Sequence, residues 1–72
     1  MLSKVQLLDA VALIEDLPEY NLRKGQVGTV VEELAPQVFE VEFVDNQGRT
    51  YALLPLHANQ LLVLYYEPAL AA

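Results

Sequence analysis

Leu22-Arg23-Lys24-Gly25-Gln26-Val27-Gly28-Thr29-Val30-Val31 is the stretch that decides the fold. Two glycines stand between a charged loop and a β-branched run. Glycine lets the backbone take positive φ or pass close to another strand, and Thr-Val-Val suits a pleated, half-buried surface. The segment therefore reads as a loop closing into the second strand of a very small β-barrel. Gly25 and Gly28 are assigned to backbone geometry at that entry.

Outward from it, the chain punctuates itself. Upstream, Leu7 to Ile14 is compatible with helical spacing at Leu7, Val11 and Ile14, and also with alternation at Val11 and Leu13. A strand at Asp9–Ile14 fits the long polar loop that follows it, from Glu15 to Lys24. Downstream, Gly28–Leu34 is the second strand, ended by a turn at Pro36. Val38-Phe39-Glu40-Val41-Glu42-Phe43-Val44 alternates cleanly, so Phe39, Val41 and Phe43 share the inner face while Glu40 and Glu42 face water. Asp45-Asn46-Gln47-Gly48 is a hairpin turn with Gly48 at the positive-φ position. Thr50–Leu54 returns antiparallel and Pro55 is expected to stop it. Leu56–Gln60 has the length of one helical turn, with His57 inside it, and Leu61–Tyr65 forms the last strand.

Five short strands, a long first loop and a one-turn helix before the last strand describe an all-β fold, an SH3-like barrel. Residues 1–6 are read as a flexible N-terminus, 7–66 as the barrel domain and 67–72 as a C-terminal tail. Closure of the sheet would limit exposed edges.

Size and composition narrow the function. The 72 residues make one domain, and a chain this short buries only roughly 60% of its unfolded surface. There is no cysteine, which removes disulfides, thiolate zinc sites and cysteine nucleophiles together. A hydrophobic share of 54% is high for so small a domain and leaves apolar surface for a partner or for a homo-oligomer. The net charge of −6 sets ten acids against Lys4, Arg23, Lys24 and Arg49. Nucleic-acid binding relies on Lys and Arg neutralising phosphates, so it is disfavoured, and the acidic surface suits solubility or a basic partner. No segment has the length of a membrane span, and Met1–Leu8 lacks the apolar core of a signal peptide. The cytoplasm is the expected location.

Gly25-Gln26-Val27-Gly28-Thr29-Val30-Val31 followed by Phe39-Glu40-Val41-Glu42-Phe43 resembles the core of KOW-type and other SH3-like barrels. A wider likeness takes in Asp9–Leu13, Asp16-Leu17-Pro18-Glu19, Gly48-Arg49-Thr50-Tyr51 and His57-Ala58-Asn59-Gln60-Leu61. It is similar to a small bacterial family, domain of unknown function four-nine-two-six. That resemblance implies fold and a bacterial origin, and it brings no activity with it. The KOW likeness implies RNA or ribosomal partners, the alternative to a protein partner.

Catalytic constellations are weak. Gly25-x-x-Gly28 lacks the third glycine of a dinucleotide fingerprint and the Lys-Ser/Thr of a P-loop. His57 is the sole histidine, which excludes a multi-histidine metal site within one chain. A Ser-His-acid triad would have to draft Ser3 from the terminus, and no nucleophile elbow is present. Glu15, Asp16 and Glu19 lack the spacing of a calcium loop. The expectation is a protein that is not an enzyme and holds no cofactor or metal.

Recognition residues are better represented. Arg23 and Lys24, with Arg49 a candidate to join them in space, are the only cationic concentration, against the plainer reading of a solvated loop. Tyr20, Tyr51, Tyr65 and Tyr66 offer large apolar area with a polar tip. Tyr20 lies in the long loop. Tyr65 and Tyr66 are adjacent, so within a strand one of them faces outward. The alternative is that Tyr51 and one of that pair complete the core. The reading is a non-catalytic interaction module or accessory subunit docking through Tyr20, Arg23, Lys24, Tyr65 or Tyr66. Its partner is another protein, one encoded beside it being the concrete variant.

Overall fold

A computed structural model describes residues 4–69. Its strands are β1 (Ala10–Leu13), β2 (Val27–Ala35), β3 (Val38–Val44), β4 (Thr50–His57) and β5 (Leu61–Val63). All five lie antiparallel in one sheet with order β4-β3-β2-β1-β5. Short 3-10 turns at Pro18–Tyr20 and Ala58–Gln60 punctuate the β1–β2 loop and the β4–β5 link. The fold is all-β, with the long first loop and the single turn before the last strand that the sequence indicates.

The barrel is loose. Strands β4 and β5 stand at opposite ends of the ladder, and the Ala58–Gln60 turn joins them through the chain without strand pairing. Closure of the sheet, expected from the sequence, is thus corrected to an open barrel with two edges.

Period-two alternation builds the core. Val11 and Leu13 from β1, Val30 from β2, and Phe39, Val41 and Phe43 from β3 point inward. Leu54 and Leu56 from β4 and Leu61 and Val63 from β5 complete the set. Val5, within the stretch read as a terminus, is buried in the same cluster. Leu17 and Leu22, read as part of a polar loop, are buried too. They bracket the Pro18–Tyr20 turn, pair across it (Leu17 N–H to Leu22 O, 2.9 Å) and fold the loop back over the barrel end. No polar or charged side chain is buried among the described residues.

Four boundaries move. β1 is Ala10–Leu13, inside the expected Asp9–Ile14, and β2 extends to Val27–Ala35. Pro55 does not end β4, which continues through it to His57. The reason is position, since β4 is an edge strand and proline is tolerated where its missing N–H would face solvent. The His57 N–H turns away from β3 and donates to Gln60 Oε1 (2.8 Å). Alternation gives Pro55 and Leu53 that same outward orientation, with Pro55 opposite Glu40. His57 therefore belongs to β4, opposite Val38, and the helical turn begins after it. β5 ends at Val63, which leaves Tyr65 outside it.

Three turns take positive φ at non-glycine residues: Leu8 (φ 71), Asn21 (φ 59) and Gln37 (φ 66). Asn21 tolerates this region through its short polar side chain. Gln37 follows Pro36 in the two-residue link between Ala35 and Val38, where proline pre-sets the first turn position and the second needs positive φ. In the β3–β4 hairpin Gly48 takes φ 80, and its N–H donates to Asp45 O (3.0 Å). Asp45 Oδ1 accepts from the N–H groups of Gln47 and Arg49 (both 2.9 Å), and Oδ2 pairs with Arg49 Nε at 3.1 Å.

That hairpin has a pH signature. Chiefly the Arg49 backbone N–H holds the Asp45 carboxyl below its usual range; desolvation opposes it, and the Gln47 N–H and the Arg49 side chain add smaller lowering effects. A depressed folded-state value means stability that is present above the unfolded value of about 3.9 and is lost as pH falls through the folded one. Urea midpoints taken down to about pH 3 are expected to fall less steeply for Asp45→Asn than for the native chain. Identical acid limbs would refute the assignment.

Candidate functional site

Two of the surface depressions among the described residues differ in chemistry. The first is a groove of about 650 Å³ between the turn entering β1 and the segment leaving β5. Leu8, Asp9 and Ala10 form one side, and Leu64 to Ala69 form the other. β1 and β5 are paired, with Leu64 N–H donating to Ala10 O (2.9 Å), so residues distant in sequence are brought face to face. Beyond Leu64 the chain leaves the ladder. Tyr65 and Tyr66 are consequently both exposed, at 69% and 85%, instead of dividing between core and surface.

The facing wall is built by a constrained turn. Asp9 N–H donates to Gln6 O (3.1 Å), and Gln6 N–H donates to Asp9 Oδ2 (2.8 Å). Leu8 N–H reaches Val30 O (2.7 Å), and Val30 N–H returns to Asp9 O (2.9 Å). These bonds hold Leu8 at φ 71, a region that costs a non-glycine residue about 1–2 kcal/mol. Its side chain is 73% exposed, so no core packing compensates. A branched apolar residue is held out into solvent at a position suited to glycine.

The second depression, of about 800 Å³, is lined by Asp16, Arg23, Lys24, Gly25 and Gln26. Here the two cations meet as the sequence indicates. The backbone around them is fully engaged: Arg23 N–H donates to Gln26 Oε1, Lys24 N–H to Asp16 Oδ1 (2.8 Å), Gly25 N–H to Leu13 O (2.8 Å) and Gln26 N–H to Arg23 O (3.1 Å). Phosphate cradles use free backbone N–H groups, and this loop keeps none at those four positions. Gly25, at φ 93 with open space around it, serves the turn.

Arg49 is engaged elsewhere, on Asp45 and on Gln47 Oε1 (3.3 Å). The Arg49–Asp45 contact is the one salt bridge among the described residues, so Arg23 and Lys24 face no carboxylate at pairing distance. Tyr20 sits at the end of the Pro18–Tyr20 turn, 54% exposed, and lines neither depression. Tyr51 is also outside the core, at 47% exposed. It occupies the bulge where the β3–β4 register slips between Phe43 and Val44, its ring 6.1 Å from that of Phe43. Its hydroxyl accepts from Gln26 Nε2 (3.2 Å) and ties the hairpin to the β1–β2 loop.

The five recognition residues thus separate into Tyr65 with Tyr66, Arg23 with Lys24, and Tyr20 apart. Leu8, Asp9 and Glu67 are the groove residues that sequence reading passed over. Nothing in Leu7-Leu8-Asp9 announces a left-handed turn, because leucine carries no preference for one. Among the described residues no group of three His, Asp or Glu side chains converges as a metal site, and no helix is long and apolar enough to cross a membrane.

No curated protein and no solved structure matches this chain. A family model does match, over residues 7–63, from the turn carrying Leu8 to the end of β5. By that match the chain belongs to the family described as Domain of unknown function (DUF4926).

Proposed function

We propose that this protein is a non-catalytic interaction module of the bacterial cytoplasm that docks another protein through the Leu8–Tyr65–Tyr66 groove. The observation that carries this reading is Leu8, a solvent-exposed leucine fixed in a left-handed turn beside two exposed tyrosines. Backbone strain that persists without a packing return concentrates where a protein meets its ligands. Large apolar groups with polar tips on a concave wall suit the buried centre of a protein interface. The absence of buried titratable side chains among the described residues supports a binding role over catalysis, which draws on desolvated, perturbed groups. An acidic chain without cysteine fits a reducing compartment.

The test uses Leu8→Gly, which removes the side chain and relieves the turn. Unfolding stability is expected to rise by about 1 kcal/mol. A partner recovered from the native cell by the wild-type chain, and identified by mass spectrometry, is expected to be lost by the variant. Retention of that partner by Leu8→Gly, or a wild-type chain that is monomeric by light scattering and recovers none, would sink the reading. RNA binding through Arg23 and Lys24 is the rival, and it predicts affinity falling steeply with salt.

A further inference from the structure

We propose that the groove takes an extended segment of another protein in which an apolar side chain is flanked by arginine or lysine. The inference rests on the docking reading above and adds the chemistry of the partner.

Its basis is the charge on the walls. Asp9 and Glu67 are the charged residues lining the groove, one on each side, and none of Lys4, Arg23, Lys24 or Arg49 lines it. Asp9 Oδ2 accepts from the Gln6 N–H (2.8 Å), and Oδ1 takes part in no hydrogen bond among the described residues, so it faces an incoming donor. Glu67 is exposed and takes part in none of the side-chain hydrogen bonds or ion pairs among the described residues.

Between the carboxylates the surface is apolar and aromatic: Leu8, Ala10, Leu64, Tyr65, Tyr66 and Pro68. An occupant without charge would leave both carboxylates partly desolvated and unpaired, which is costly. An acidic occupant would add repulsion to that cost. A segment carrying a guanidinium or ammonium group on either side of an apolar residue satisfies both carboxylates and fills the centre. The tyrosine faces add cation–π attraction for the same groups. The net charge of −6 steers such a segment toward this chain from a distance.

The volume favours a segment over a whole domain surface. About 650 Å³ lies within the range of pockets that enclose small ligands. Ala10 O is not available for strand addition, because it already accepts from the Leu64 N–H (2.9 Å).

The experiment titrates the full ¹⁵N-labelled chain with three synthetic peptides of equal length, alternating leucine with arginine, with serine or with glutamate. The arginine peptide is expected to shift the amides of Leu8, Asp9, Ala10, Tyr65 and Glu67. Its affinity is expected to fall at least roughly tenfold in the Asp9→Asn/Glu67→Gln protein and to weaken as salt rises. Equal affinity of the serine peptide at the same amides would overturn the cationic partner while leaving the docking groove in place. Arginine-peptide shifts confined to the Asp16–Gln26 surface, or undiminished binding to the double variant, would also overturn it. No binding by any peptide, with groove amides that move instead on dilution, would assign the groove to a second copy of this chain and overturn the inference.

Discussion

Phe43→Ala is expected to leave the chain largely unfolded. Phe43 is completely buried, is the last of the three inward residues of β3, and has Tyr51 tilted against it at 43°. Emptying a buried phenylalanine site costs about 3–5 kcal/mol, the larger values applying where neighbours cannot relax inward. Here they cannot relax far, because β3 is paired on both sides, with Ala52 of β4 opposite Phe43 and Gly28 of β2 against its ring. A chain of 72 residues has a total stability of roughly 4–11 kcal/mol at the usual per-residue figure. One side chain is thus comparable to the lower end of that range. The check is chemical denaturation followed by circular dichroism, with amide dispersion in the NMR spectrum as a second readout. Glu40→Gln, on the outer face of the same strand, is expected to change stability by about 0.5 kcal/mol or less. A Phe43→Ala loss near that of Glu40→Gln would mean the inner face of β3 is wrongly assigned.

The second large effect belongs to Gly28. A methyl group there would lie 2.7 Å from Val41 Cγ1 and 2.9 Å from the Glu42 carbonyl oxygen, with Phe43 Cδ2 at 3.0 Å. The carbonyl is backbone within the β2–β3 ladder, so accommodation requires the two strands to part. Overpacking of this kind costs about 3 kcal/mol. Gly25 offers the internal comparison. Its φ of 93 requires glycine for conformational reasons, while nothing lies within 4 Å of an added Cβ. Gly25→Ala should therefore cost less, about 1–2 kcal/mol, and its loss should come from backbone strain alone. Denaturation midpoints of the two variants measured together decide the matter. A Gly25→Ala loss equal to or larger than that of Gly28→Ala would reject close packing as the reason for Gly28.

The glycines also show how far a sequence speaks. Both were assignable to backbone geometry from Gly-x-x-Gly before a β-branched run, and the geometry differs between them: positive φ at Gly25, close strand approach at Gly28. The inner face Phe39, Val41, Phe43 was legible because a two-residue period has one solution for a strand. Pro55 was misread because proline forbids only the centre of a sheet, and which strand lies at the edge is a property of the whole topology. Leu17 and Leu22 were hidden for a related reason: each is isolated among polar residues, and only the turn between them makes them neighbours. At the candidate site, the tyrosine pair was legible as surplus aromatic area, but only one of the two was expected to face outward, since the end of β5 at Val63 is not marked in the sequence. The wall opposite it was not, since it depends on β1–β5 pairing and on a left-handed leucine that no local pattern marks.

Pro55 and Gln60 have a consequence for how this chain can be recognised. The longer rim of the open barrel carries outward positions Leu53, Pro55 and His57, of which one has no N–H and another has its N–H occupied by Gln60. Such a rim is a poor template for an incoming strand, because two of its three outward positions offer no free donor, which disfavours fibrous self-propagation along β4. Association is thereby diverted from backbone to side chains. A partner on that flank meets few free backbone donors and must recognise what the residues are, through shape and charge.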